Sequence, residues 1–223
     1  MRAMILAAGR GERLKPLTDH KPKPLIEVGG KSLIARHLER LADSGFEEVV
    51  INLGWLGERI VDHLGQGEAF GLHIQYSQEP PGALETAGGI VHALSLLGDA
   101  PFLAVSADVL TDYPFERAMQ CEVTGAAHLV LVDNPAHHPG GDFALDSGRV
   151  RREGADCLTF SGIAVFDPAL FAGLSPGRRA LRPVLEQAIL EGRVAGEHYS
   201  GRWADIGTPQ RLAEAQQSFA GDS

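Results

Sequence analysis

Short apolar runs alternate along this chain with stretches whose apolar residues recur at helical spacing, and few folds accept that pattern. Residues 2–7, 48–53 (EVVINL), 102–106 (FLAVS), 128–132 and 158–166 read as strands. Several are apolar with little polar alternation, as strands buried on both faces are. Leu72, Ile74 and Tyr76 alternate with polar neighbours, which marks a half-buried strand. Between these runs, residues 32–41 (SLIARHLERL) carry a helical stripe at 33, 34, 37/38 and 41, with Ser32 as N-cap and Gly45 past the end. Further helices are expected over 55–64, 86–97, 182–191 (Pro183 in the first turn) and 209–219. The repeated β-α-β order predicts an α/β fold, a mostly parallel sheet with helices on both faces. A hairpin over 143–150, turning at Asp146-Ser147-Gly148, adds a small mixed β insertion in the second half. No repeat, low-complexity tract or linker interrupts the order, so residues 1–223 are expected to form one domain.

Ligands of such sheets bind beyond the carboxyl ends of the strands. The segment leaving the first strand is Leu6-Ala-Ala-Gly-Arg-Gly-Glu-Arg-Leu-Lys-Pro-Leu-Thr18. Gly9 and Gly11 permit backbone angles closed to other residues and close approach to the main chain. Successive N–H groups in such a turn form an anion-binding concavity, to which Arg13 can add bidentate contacts. The dinucleotide fingerprint fails here because its third glycine is Leu14, and a Walker A loop ending at Gly30-Lys31-Ser32 fails because its upstream glycine is Leu25. The net charge of −9 and pI near 5.4 argue against nucleic-acid or anionic-membrane partners. Between Arg10 and Lys23 the balance inverts, with Arg10, Arg13, Lys15, Lys21 and Lys23 against Glu12 and Asp19. A local basic patch on an acidic protein fits a small polyanion. Prolines on both sides of Lys23, in Pro22-Lys-Pro-Leu25, hold that lysine on a stiff extended segment where it can meet a phosphate at little ordering cost.

Leu6, Gly9, Gly11, Arg13, Leu14, Pro16, Leu17 and Thr18, followed by Pro22-Lys-Pro-Leu25, closely resemble the signature of sugar-1-phosphate nucleotidyltransferases. The resemblance implies a Rossmann-like sheet of the nucleotide-diphospho-sugar transferase type and a cradle for a nucleoside triphosphate. Ala8, Gly9, Gly11, Glu12, Arg13 and Lys23 are then nucleotide-binding, and Arg13 and Lys23 also catalytic. A triphosphate calls for Mg2+, held by carboxylates and phosphate oxygens. Residues 101–108 (PFLAVSAD) form an apolar strand ending in an aspartate. In the resembled family this place carries the metal-binding aspartate, which gives Asp108 that role and sets Ser106 beside the nucleotide; alone, it also suits a turn. Trp203-Ala-Asp-Ile-Gly-Thr208 resembles the motif whose aspartate completes the metal site, here Asp205. Residues 78–90 stand where the family grips the base, which implicates Glu79 and Glu85, the latter replacing a glycine. Gly88 and Gly89 inside a helix cost roughly 1 kcal/mol each against alanine, so close packing is expected there.

Within the family, Leu84-Glu-Thr86, residues 132–143 (VDNPAHHPGGDF) and 158–163 (LTFSGI) are most similar to the uridylyltransferases acting on N-acetylmuramic acid α-1-phosphate in cell-wall recycling. That likeness makes Asn134, Asp142, Ser161 and Gly162 candidate sugar contacts. His137 and His138, adjacent in a loop, lack a metal-ligand set and are read as pocket-rim or surface residues. The implied reaction is attack of a sugar-1-phosphate oxygen on the α-phosphorus of UTP, with release of pyrophosphate. A phosphate nucleophile is already ionised near neutrality, in keeping with the absence of an obvious base.

Two rivals stand beside this reading. A mannose-1-phosphate guanylyltransferase or a choline-phosphate cytidylyltransferase would differ in a few base contacts near residues 79–85. A non-catalytic nucleotide sensor would be expected to lack Arg13, Lys23 or one of the aspartates, and all four are present. Cys121 and Cys157 fit neither a CxxC pair nor a disulfide framework, and no signal-peptide pattern or membrane-spanning run occurs. A cytoplasmic enzyme is expected, a monomer or small homo-oligomer with only small-molecule substrates, without room for a second, acyltransferase domain.

Overall fold

The computed structural model describes residues 1–123 and 125–218. The chain begins with strand β1 (Ala3–Leu6), a glycine turn and helix α1 (Leu17–His20), followed by the hairpin strands β2 (Glu27–Val28) and β3 (Lys31–Ser32). Helix α2 (Leu33–Asp43) starts at Ser32, whose hydroxyl accepts the amide of Ala35 at 3.3 Å, and gives way to Gly45 at φ 85°. Strand β4 (Glu48–Leu53), helix α3 (Gly57–Leu64), strand β5 (His73–Gln78), helix α4 (Glu85–Leu97) and strand β6 (Phe102–Ser106) complete the first half. The second half contains β7 (Val109–Thr111), α5 (Glu116–Gln120), β8 (Ala127–Val132), β9 (Phe143–Asp146), β10 (Arg149–Arg151) and β11 (Cys157–Phe166). It ends with α6 (Leu181–Leu190), β12 (Val194–Tyr199), β13 (Trp203–Asp205) and α7 (Pro209–Ser218). The helix expected over 209–219 is thus present to Ser218, and Phe219 lies outside the described residues.

Nine strands form one sheet in the order β5-β4-β1-β6-β11-β8-β12-β10-β9. The β5-β4-β1-β6 half is wholly parallel, in keeping with the apolar runs of β4, β1 and β6, and β12 joins β8 in parallel. Strand β11 runs antiparallel to both neighbours, and the β9–β10 hairpin closes the mixed edge. Its loop is Ser147-Gly148, at φ 49° and 77°, the doubly left-handed turn that suits two-residue hairpins. Alternate residues of each strand feed opposite cores. Ile5, Ile51 and Val105 meet Ile34 and Leu38 of α2 and Ile60 of α3 on one face, while Met4, Val50 and Ala104 meet Ile90 of α4 and Leu185 of α6 on the other. Among the described residues no helix is long and apolar enough to cross a membrane.

A third apolar cluster sits beyond the strand ends. It joins Leu14 from the glycine turn, Val28 and Leu33 from the hairpin and α2, Leu110 from β7, Ile206 after β13, and Leu212 from α7. Its centre is the antiparallel β7–β13 ribbon, an element the sequence pattern did not announce because each strand has only three residues. This cluster ties the first twenty residues to the last twenty described.

Candidate active site

The glycine turn follows β1 directly. Gly11 stands at φ 67°, its carbonyl accepts the Thr18 hydroxyl at 2.9 Å, and a Cβ there would meet the Thr18 methyl at 2.9 Å. Nothing lies within 4 Å of where a Cβ of Gly9 would stand, so this part of the turn faces open space. The turn opens on a cavity of about 370 Å3 whose lining includes Ala8, Gly9, Gly11, Glu12, Arg13 and Lys23, and also Glu79, Glu85, Ser106 and Asp108. The structure therefore gathers every residue named above for the nucleotide into one place.

Their states differ. Glu12 is held by Lys15 at 2.6 Å and Arg10 at 2.7 Å, and the Lys15 contact is the main cause of its lowered pKa. Arg13 is exposed and, among the described residues, has no carboxylate partner. Lys23 forms an ion pair with Asp108, the two side chains only 12% and 33% exposed. The buried Glu79 carboxylate faces the protein: it accepts Asn52 Nδ2 at 2.7 Å and the Leu84 amide at 3.4 Å, while Asn52 Oδ1 accepts the Ala7 amide at 2.7 Å. Glu79 thus braces the glycine turn against the base segment through Asn52, a residue that sequence reasoning passed over as part of an apolar strand.

Glu85 occupies the left-handed region at φ 59°, the conformation a glycine would take there without cost. Arg178 holds its carboxylate at 2.6 Å. The following helix packs as tightly as its glycines imply. A Cβ on Gly88 would collide with the carbonyl of Gly177, and one on Gly89 would meet Glu79 Oε1 at 2.6 Å and Asn52 Nδ2 at 2.9 Å. The obstacle is backbone at Gly88 but side chains at Gly89.

Asp108 and Asp205 are brought together by the β7–β13 ribbon. Val109 stands opposite Asp205 in the ladder, and the amide of Ile206 donates to the carbonyl of Asp108 at 2.8 Å. Asp205 forms an ion pair with Arg211, and its Oδ1 lies 3.1 Å from His137 Nε2. That oxygen is buried, and its contact with His137 lacks hydrogen-bond geometry. Two carboxylates on neighbouring backbones, one with an orphaned buried oxygen, fit a hard divalent cation completed by phosphate oxygens. Among the described residues no group of three or more His, Cys, Asp and Glu could hold a metal ion alone.

A second cavity of about 740 Å3 adjoins the first and shares Arg13, Glu85, Ser106 and Asp108 with it. Asp142, Ser161, Gly162 and Asp205 line it, with His137 and His138 at hand as the rim reading expected. Ser161 and Gly162 form an irregularity in β11, where the register to β8 jumps between Phe160 and Ile163. The Ser161 hydroxyl is spent on the carbonyl of Val130 at 2.7 Å, and its own carbonyl accepts Trp203 Nε1 at 2.9 Å. Trp203 therefore fastens the strand bearing Asp205 to this bulge. Asp142 Oδ2 accepts the amide of Phe160 at 3.0 Å and its Oδ1 lies 3.2 Å from Arg182 Nη1. Asn134 is not brought to either cavity. Its amide donates to the carbonyls of Cys157 and Pro139, and its oxygen accepts the Thr159 hydroxyl at 2.8 Å, so it pins the 134–142 loop to β11. Arg211 and Arg182, both missed from the sequence, lie on helices α7 and α6; single arginines on amphipathic helices carry no local signal.

Fold and site together define a nucleotidyltransferase. The chain belongs to the nucleotidyl transferase family, whose model matches residues 2–142. It is 53% identical to the N-acetylmuramate alpha-1-phosphate uridylyltransferase of Neisseria meningitidis, over 97% of both chains. It is 35% identical to the protein of the same name from Caulobacter vibrioides, over 98% of this chain and 96% of the relative. Similarity to the mannose-1-phosphate guanylyltransferase catalytic subunit beta of Danio rerio is lower, 30% over 94% of this chain and 62% of that one. In fold the chain resembles a protein of Bacillus anthracis described as a candidate glucose-1-phosphate thymidylyltransferase, crystallised with sucrose, at a TM-score of 0.88 and 20% identity over 99% of this chain and 96% of that one. It also resembles HddC of Yersinia pseudotuberculosis complexed with GMP-PN, at a TM-score of 0.80 and 20% identity over 98% and 99% of the two chains.

Proposed function

We propose that the chain transfers a uridylyl group from UTP to N-acetylmuramic acid α-1-phosphate, giving the UDP-sugar and pyrophosphate, with Mg2+ as cofactor. The observation that carries this reading is the adjacency of Asp108, which lines both cavities, and Asp205, which lines the larger, with the glycine turn on one side and the 137–162 segments on the other. The choice of base and sugar rests on the two relatives of that name, which match this chain nearly end to end.

In this assignment the amides of the glycine turn and the unpaired guanidinium of Arg13 receive the β- and γ-phosphates and retain the departing pyrophosphate. Lys23 releases Asp108 and turns to the α-phosphate, where negative charge crowds as the new bond forms. Asp108 and Asp205 would hold a magnesium ion, which would supply charge neutralisation to the reacting phosphates. Asp142 and the Ser161–Gly162 bulge orient the sugar so that its phosphate oxygen lies in line with the leaving group. No side chain need remove a proton. Free Cys121 and Cys157 agree with a reducing, cytoplasmic setting.

The test is pyrophosphate release from UTP, GTP and CTP across a panel of sugar 1-phosphates. Turnover with UTP and N-acetylmuramic acid 1-phosphate at least tenfold above other pairs is expected. Turnover of mannose or glucose 1-phosphate without that substrate would end the narrow assignment and leave the family standing.

A further inference from the structure

A third cavity, of about 250 Å3, lies between α2 and β7, outside the site described above. Arg36, His37 and Arg40 line it from one helix, and Thr111, Asp112 and Arg202 from the ribbon and the segment before it. Its other charges are already matched. Lys31 holds Glu39 at 2.5 Å, and Arg202 lies 3.3 Å from Asp112, which also accepts the Tyr199 hydroxyl at 2.5 Å.

Arg36 and Arg40 are different. Their hydrogen bonds run to main-chain carbonyls, Arg36 to Val28 and Arg40 to Tyr113 at 2.8 Å, and their Nε atoms are buried without an acceptor. Between them His37 is 2% exposed, its ring turned to the backbone of Val109 and Ser106. Burial and the charge of Arg40 keep its imidazole neutral, with a pKa near 4, so it adds no third cation to the cavity. Leaving the two arginine Nε–H donors unmet is costly, and a protein of net charge −9 has carboxylates to spare for pairing with two arginines. The space instead suits an incoming acceptor. Two guanidinium groups within about one helical turn match a tetrahedral oxyanion, which offers several acceptor oxygens and negative charge; an uncharged ligand would leave both cations unneutralised.

We propose that this cavity is a second, non-catalytic binding site, in which Arg36 and Arg40 take the phosphoryl group of a small phosphate ligand. Its position gives occupancy a consequence. The ribbon residue Thr111 pairs with Trp203, and two positions back Val109 pairs with Asp205, so an anion drawn against Thr111 bears on the strands that hold both acidic residues of the active site. The inference uses neither the base nor the sugar assigned above.

The experiment is carried out on the full chain in an Arg13→Ala, Lys23→Ala background, which weakens phosphate binding at the glycine turn. Inorganic phosphate at about ten times its Kd is expected to raise Tm by about 3 °C. Adding Arg36→Gln and Arg40→Gln should abolish that rise. No rise in the background, or one that survives the added substitutions, overturns the proposal. Should the fourfold variant not fold, wild-type crystals soaked in tungstate decide. An anomalous peak within hydrogen-bond distance of both guanidinium groups supports the site, and an empty cavity beside an occupied glycine turn refutes it. Pyrophosphate and UTP, run in the same background, identify the source: a larger rise with UTP than with phosphate means a nucleotide's terminal phosphoryl group, and equal rises mean the free anion.

Discussion

Asp205 stands directly across the β7–β13 ladder from Val109, the neighbour of Asp108, and the Ile206 amide closes the pair on the Asp108 carbonyl at 2.8 Å. Backbone hydrogen bonds, not side-chain contacts, set the separation of the two carboxylates. Either can therefore lose its charge without releasing the other. Asp108→Asn and Asp205→Asn are each expected to lower kcat more than about 100-fold, with unchanged circular dichroism. Chelation should abolish turnover in the wild type and magnesium restore it. A variant that turns over normally would remove its residue from the metal site.

Lys23 and Asp108 neutralise each other in the absence of substrate. Lys23→Ala should cost about 3 kcal/mol of transition-state stabilisation, roughly 150-fold in kcat, within the range for removing one such donor. A change confined to KM would show that the lysine binds nucleotide equally in ground and transition states.

Glu85 carries a left-handed backbone and an exposed ion pair to Arg178. Glu85→Gly relieves about 1 kcal/mol of strain and forfeits at most about 1 kcal/mol from the pair, so Tm should move little. KM for UTP should rise several-fold. An unaltered KM would show that Glu85 is not a nucleotide contact.

Gly88→Ala gains about 1 kcal/mol of helix propensity but sets a methyl group against the Gly177 carbonyl. Overpacking of this kind costs about 1–3 kcal/mol. Net destabilisation in urea unfolding is expected, the reverse of what an ordinary helical glycine would give.

His37 supplies a pH signature. Burial, reinforced by Arg40 and opposed by Asp108, lowers its pKa from 6.5 to about 4. The unfolded chain takes up a proton below 6.5 that the folded chain refuses. The stability held by neutral His37 is complete above pH 6.5 and falls as pH drops toward 4, by about 3 kcal/mol in all. Urea midpoints of wild type and His37→Gln between pH 7.5 and 5 should diverge accordingly. Parallel profiles would show that His37 titrates normally.

Much of this was legible along the chain. The strands and helices of the parallel half follow from apolar runs and 3.6-residue stripes, because burial on two faces or one stripe is imposed residue by residue. The glycine turn, the proline-flanked Lys23 and the two aspartates stand in short contiguous motifs, and their resemblance to a family signature, not local chemistry alone, named them. What the chain alone left open was which distant segments meet. Two three-residue strands carry no periodicity, yet their pairing, driven by Leu110 and Ile206 entering one cluster with Leu14, joins Asp108 to Asp205. The same holds for Asn134 and Glu79, whose polar side chains could equally serve a ligand or the scaffold. In the tertiary structure both side chains are hydrogen-bonded to the scaffold, Glu79 to the Leu84 amide and Asn134 to the Cys157 carbonyl, which satisfies backbone groups there.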